Sequence, residues 1–196
     1  MAPSRPILTI GHSRHSWERF TTLLAGAGVE TIADIRTAPR SRFSPQFNKD
    51  TMREALAARS VEYIFLGREL GGRPQSPALY SDGVADYEKM ASSPEFRVGL
   101  ERLIEAAARR SVAVMCSEAD PLECHRCLLV GRALAGQGAD VRHILASGVI
   151  ATQAEVEDRL LALENLAEAD LLARSREARL GEAYRSRARK FAFQAR

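Results

Sequence analysis

The feature that most constrains this chain is a repeated alternation of short apolar runs with longer helical ones. "PILTIG", "VETIAD", "VEYIFL", "SVAVMC" and "DVRHIL" read as strands. Between them, "SWERFTTLLAGAG", "NKDTMREALAARS", "PEFRVGLERLIEAAARR" and "CHRCLLVGRALAGQG" read as helices. Strands separated by helices cannot be hairpins. They become parallel neighbours with the helices crossing over both faces. The expectation is therefore an α/β fold: a three-layer, Rossmann-like parallel sheet of about five strands over residues 1–150. From Thr152 onward the pattern is helix-forming almost throughout, acidic first and basic later, with Gly181 as a candidate break. Residues 151–196 are expected to form a C-terminal helical extension carrying most of the excess positive charge.

Length and composition narrow the setting. At 196 residues the chain can bury a core without covalent staples. No run of about 18 uncharged apolar residues is present, so no membrane span is expected. "MAPSRPILTIGHS" lacks the apolar stretch and small-residue site of a secretory signal. An odd count of cysteines, three, is no disulfide framework, and a reducing cytoplasm is the simplest location. The basic residues are nearly all arginine, the only lysines being Lys49, Lys89 and Lys190. That bias fits a GC-rich genome; it equally supplies forks that bind phosphate and carboxylate. The net charge of +3 does not by itself demand a nucleic-acid partner.

Sites in open parallel sheets lie beyond the carboxyl ends of the strands. There the sequence places Gly11-His12-Ser13, Asp34 with Arg36 and Arg40, Leu70-Gly71-Gly72, and Cys116 with Glu118. "MCSEADPLECHRCLLVG" is the densest of these stretches and has four readings. A closed zinc site usually draws on two separate ligand pairs, and the only Cys-x-x-Cys is Cys124 to Cys127. A dithiol would place Cys124 and Cys127 at a helix start, where the dipole and Arg126 lower a thiol's pKa. A nucleophile reading takes Cys124 with a histidine base, His12 being better placed than the adjacent His125. An anion cradle takes the backbone N–H groups of the helix start with Arg126 as a bidentate fork.

The catalytic candidates are accordingly His12, Glu118, His125, Cys124 and Asp34. Those for substrate or anion binding are Gly11, Ser13, Arg36, Arg40, Gly71, Gly72 and Arg126. No metal and no cofactor is assigned. Structural alternatives accompany them: Ser13 or Ser16 as a helix cap, Asp34 and Arg36 as an internal ion pair, Arg126 as a loop brace. His143, inside an apolar strand, reads as a satisfied core histidine.

Taken together, "TIGHS", "DIRTAPRSRFSPQFNKD", "YIFLGRELGGRP", "EFRVGLERLI", "VMCSEADPLECHR" and "VRHI" resemble the family known as domain of unknown function 488. The resemblance spans roughly residues 7–146. It implies an α/β domain with the GHS, Asp-x-Arg, Leu-Gly-Gly and Cys-x-Glu…Cys-His-Arg segments gathered at one pocket, and it supplies no reaction. Where this chain has Cys127 the family tends toward serine, which weighs against both the dithiol and the zinc reading.

The function expected from these residues is an enzyme acting on a phosphate-bearing substrate, a nucleotide or nucleic acid, by hydrolysis or glycosyl transfer. The alternatives are a non-catalytic nucleotide- or nucleic-acid-binding module, and thiol-dependent or dithiol chemistry at Cys124/Cys127. The expected partners are an anionic small molecule or nucleic acid, no membrane, and a second copy of the chain through the C-terminal helices.

Overall fold

The computed structural model describes residues 5–167 and 174–195. The chain runs β1 (Ile7–Gly11), α1 (Trp17–Gly26), β2 (Thr31–Asp34), α2 (Lys49–Ala57), β3 (Glu62–Phe65), β4 (Tyr80–Ser81) and β5 (Val84–Ala85). It continues through α3 (Tyr87–Ala91), α4 (Pro94–Arg109), β6 (Val112–Cys116), α5 (Arg132–Gly136), β7 (Val141–Ile144), β8 (Ile150–Thr152), α6 (Gln153–Leu163) and α7 (Arg176–Phe191). The main sheet has the order β3-β2-β6-β1-β7-β8. The five expected strands pair in parallel, and β8 adds an antiparallel edge to β7.

The alternation of side chains along the strands sorts the core into two layers. Leu8, Ile10, Ile32, Ala113 and Met115 pack with Phe20, Leu23 and Leu24 of α1 and Met52 and Leu56 of α2. Ile7, Ala33, Val112, Val114 and Cys116 pack with α4, α5 and α6 on the other face. Helix starts follow their sequence signals: Ser16 accepts from the Arg19 N–H, Ser93 from the Phe96 N–H, and Pro94 occupies the first turn of α4. Thr152 and Glu155 form a reciprocal capping box on α6.

β6 lies between β1 and β2. The chain leaves β1 and β2 over the α1/α2 face and leaves β6 over the opposite one. The loops after these strands therefore part, opening the crevice where such sheets bind ligands. The helix after β6 begins as a π-helix over Arg126–Gly131 before continuing as α5.

In the C-terminal segment, Ala183 and Tyr184 of α7 and Ala192 belong to the α4/α5 core layer. Gly181 does not break α7; it lies within it. The basic residues of α7 meet acids of neighbouring elements: Arg176 with Asp158, Arg185 with Glu88, Arg187 with Glu123, and Lys190 with Glu164. The helical reading of 168–173 falls outside the described residues. Beyond α7 the chain pairs with the β4–β5 hairpin, the Ala85 N–H donating to the Phe193 carbonyl and the Ala195 N–H to that of Gly83. No helix among the described residues is long and apolar enough to cross a membrane.

Candidate functional site

A cavity of about 470 Å³ opens at the carboxyl end of β2 and β6. Its lining includes Arg36, Thr37, Arg40, Gly72, Arg73, Tyr87, Ser117, Glu118, Glu123, Cys124 and His125, with Phe191 and Phe193 from the C-terminal segment. Of the residues expected at a site, Arg36, Arg40, Gly72, Glu118, Cys124 and His125 meet here.

Asp34 and Arg36 face the same side of the strand end, as their spacing requires, but they face each other. Arg36 Nε and Nη2 donate to the two Asp34 carboxylate oxygens at 2.9 and 2.6 Å. Arg36 Nη2 also donates to the Phe47 carbonyl, and the Tyr63 hydroxyl donates to Asp34 Oδ2 at 2.7 Å. Asp34 is fully buried and anchors Arg36. The internal ion pair is the correct reading for it. Arg36 still lines the cavity and keeps an Nη1 hydrogen for a ligand.

His12 is likewise committed. Nδ1 donates to the Ser13 carbonyl at 2.9 Å, Nε2 accepts from Arg36 Nη1 at 3.1 Å, and the ring stacks on Phe47. Burial, reinforced by the Arg36 charge, lowers its pKa to about 4. In this arrangement it is a neutral acceptor for Arg36. Ser13 sits at φ 48° with its N–H on the Ser117 carbonyl, and Gly11 packs against the Glu118 carbonyl so closely that a Cβ would lie 1.7 Å from it. Both shape the loop junction and lie outside the cavity lining. Gly71 packs on the Gly67 carbonyl and Thr37, while Gly72 lies against the His125 ring.

Arg126 does not form an anion fork. It is fully buried and donates inward, from Nη1 to the Glu118 carbonyl at 2.5 Å and Cys116 Sγ at 3.0 Å, and from Nη2 to the Ala119 carbonyl. It braces the loop from beneath. At the helix start the Arg126 N–H goes to Cys124 Sγ, and those of Cys127 and Leu128 go to the Cys124 carbonyl.

The cysteines pair differently from the expectation. Cys127 is buried and free, and burial pushes its thiol up to about 12. The structure joins Cys124 to Cys116 as a disulfide, with Cα atoms 7.5 Å apart. His125, adjacent in sequence, is nevertheless the histidine that faces Cys124, its Nδ1 lying 3.7 Å from Sγ. His125 Nε2 donates to the Ile35 carbonyl at 3.0 Å, which leaves Nδ1 as the acceptor. Burial lowers the His125 pKa while the Glu118 charge opposes that shift. The Glu118 carboxylate is exposed, with no ion pair among the described residues.

Other wall residues carried no clear signal in the sequence. Arg73 stood unremarked in "LGGRP", and its guanidinium lies 4.8 Å from the Phe193 ring centre. Phe191 and Phe193 lie in a basic tail whose aromatics nothing marked. Ser117 and Thr37 are small polar loop residues of an ordinary kind.

Comparison with curated proteins and with solved structures finds no match. The family described as domain of unknown function DUF488 matches residues 16–133, which include β2, β6, the Asp34–Arg36 anchor and the Cys116–Arg126 wall, and the chain belongs to that family.

Proposed function

We propose that the protein is an enzyme acting on a phosphate-bearing small molecule, of nucleotide size, by hydrolysis or group transfer. The observation that carries this reading is the composition of one cavity: Arg36, Arg40 and Arg73 line it together with Cys124, His125 and Glu118. Arginine forks match phosphate oxygens. Arg36 is held rigid by Asp34 and His12, so little entropy is lost when it binds. Tyr87, Phe191 and Phe193 supply aromatic surface for a base or another flat group.

His125 is the proton carrier of this reading. Its Nε2–H is tethered to a carbonyl, so Nδ1 is unprotonated and can take a proton from an attacking water or acceptor hydroxyl. The oxygen of that nucleophile bonds to the reacting centre. The departing group leaves with its electron pair and takes the proton back from Nδ1. Arg40 and Arg73 hold the anionic end of the substrate.

The test is thermal denaturation with nucleosides and nucleoside mono-, di- and triphosphates at matched ionic strength, followed by product assays on the compounds that stabilise the fold. Phosphorylated compounds are expected to stabilise, and Arg40→Ala with Arg73→Ala to weaken them about tenfold or more, since each charge-assisted bond is worth about 1.5–3 kcal/mol. Equal shifts from phosphorylated and unphosphorylated compounds defeat the reading.

A further inference from the structure

Arg126 raises a question that its bracing role leaves open. Its guanidinium is fully buried, yet among the described residues no carboxylate forms an ion pair with it, and Nε has no hydrogen-bond partner. An unpaired buried charge is costly, so a counter-charge beside it stabilises it. The atom its Nη1 reaches besides carbonyl oxygens is Cys116 Sγ, at 3.0 Å. With the disulfide reduced, the Cys116 sulfur is the group placed to answer that charge. Cys124 Sγ in turn accepts the Arg126 backbone N–H at 3.4 Å, a bond that also favours the thiolate.

Two thiolates whose sulfurs meet repel each other unless something holds them together. A disulfide is one solution, but the Cα atoms are 7.5 Å apart, beyond the roughly 4.4–6.8 Å that disulfides span. The backbone has little room to close that gap. Cys116 is in parallel register opposite Gly11, and Gly11 is pressed against the Glu118 carbonyl. A cation is the other solution. The Glu118 carboxylate completes the set: donor atoms of Cys116, Glu118 and Cys124 all lie within 4.8 Å of one another.

We infer that Cys116, Cys124 and Glu118 bind a divalent transition-metal ion, zinc by the preference of its ligands, in the wall of the cavity. Two thiolates and a carboxylate balance a dication and the Arg126 guanidinium, so the cluster, buried at its sulfurs and open at Glu118, is neutral as a whole. Thiolate sulfur selects zinc over magnesium or calcium. Three protein ligands leave a fourth position for water, the arrangement of catalytic rather than structural zinc. Cys124, Glu118 and His125 all line the cavity, so that position opens toward a bound substrate. The Arg126 contacts to both sulfurs serve as the outer shell that orients the ligands. The Cys124/Cys127 spacing argued against a zinc site because it offers a single pair. The structure brings in Cys116 from the strand end instead, and Cys127 takes no part.

The inference rests on the donor geometry and stands apart from the identity of the substrate. Full-length protein purified without chelator is assayed for bound metal by elemental mass spectrometry, and for disulfide by intact mass under non-reducing conditions. About one zinc per chain and fully reduced cysteines are expected. Metal-stripped wild type given Co²⁺ alone should develop the thiolate-to-cobalt absorption in the near ultraviolet and tetrahedral bands in the visible. That readout needs no variant to fold. Cys116→Ser and Cys124→Ser should each lose the thiolate band or bind far more weakly, and Cys127→Ala should keep it. A Cys116–Cys124 disulfide in place of metal, a cobalt spectrum without thiolate bands, or metal retained at full level in the double Cys116→Ser/Cys124→Ser chain overturns the inference. A chain that holds zinc yet shows no preference for phosphorylated compounds refutes the functional reading alone.

Discussion

Arg36 Nη1 donates to His12 Nε2 at 3.1 Å, and this bond fixes what each residue can do. An imidazole that accepts from a guanidinium cannot bind a proton without expelling it. Under the proposed function, His12 therefore acts on ligands through Arg36. Replacing it by glutamine keeps an acceptor, whereas alanine removes both the acceptor and the stack on Phe47. His12→Ala is expected to weaken anionic ligands and leave the shape of any pH–rate profile unchanged, with His12→Gln recovering part of the affinity. Loss of one limb of that profile in His12→Ala would make His12 a proton carrier after all.

The anchor beneath Arg36 has a steep energetic order. Asp34 is fully buried and answers the Arg36 charge, so Asp34→Ala strands a buried guanidinium and should cost about 3–5 kcal/mol. Tyr63→Phe removes one hydrogen bond to that carboxylate and should cost about 1.5–3 kcal/mol. Urea unfolding of both variants checks the order; a Tyr63→Phe loss as large as that of Asp34→Ala contradicts it.

Most of the architecture was legible because apolar runs of strand length alternate with helical ones, and that pattern permits little but a covered parallel sheet. The location of the candidate cavity was legible for the same reason: "DIR", "LGGR" and "CSE…CHR" all lie at or beyond strand ends. What escaped was partnership. Asp34 and Arg36 were rightly placed on one side of the strand, but only their packed geometry shows that they satisfy each other. Arg126 reads as a surface fork until the buried run Cys127–Gly131 carries it inward. The pairing of Cys116 with Cys124 depends on how the loop over Glu118 folds across Gly11, which no spacing rule encodes. β8 is three residues long and has a weak pattern of its own; its partner β7 defines it.

Gly72 tests whether the orientation of His125 matters. A Cβ there would lie 2.9 Å from His125 Cγ and 3.0 Å from Nδ1, so Gly72→Ala must turn the ring and strain its bond to the Ile35 carbonyl. The expected stability cost is about 1–3 kcal/mol, accompanied by a change in the His125 imidazole resonances. Gly136→Ala is the control: no atom lies within 4 Å of its added Cβ and it ends α5, so it should be neutral or stabilise by about 0.4–1 kcal/mol. If Gly72→Ala leaves the His125 resonances in place, the packing argument fails.

His143 gives the fold a pH dependence of defined sign. It is fully buried, its Nδ1 accepting from Thr9 Oγ1 and its Nε2 donating to Gln153 Oε1. Gln153 in turn donates to the Tyr184 hydroxyl, and that hydroxyl bonds Glu157. Burial, aided by the nearby Arg126 and Arg159 and opposed by the Gln153 hydrogen bond and Asp120, lowers the His143 pKa to about 4. In the unfolded chain it titrates near 6.5. Between those values the unfolded state binds a proton that the native state refuses, so stability rises with pH across this window. This contribution is complete above about pH 6.5 and is lost as pH falls toward 4. The urea midpoint of the wild type should therefore be lower at pH 5 than at pH 7. His143→Asn keeps a donor and an acceptor but cannot charge. It should start less stable at pH 7 and lose less on acidification, so the two chains converge at pH 5. Parallel declines in both would place the acid sensitivity elsewhere in the molecule.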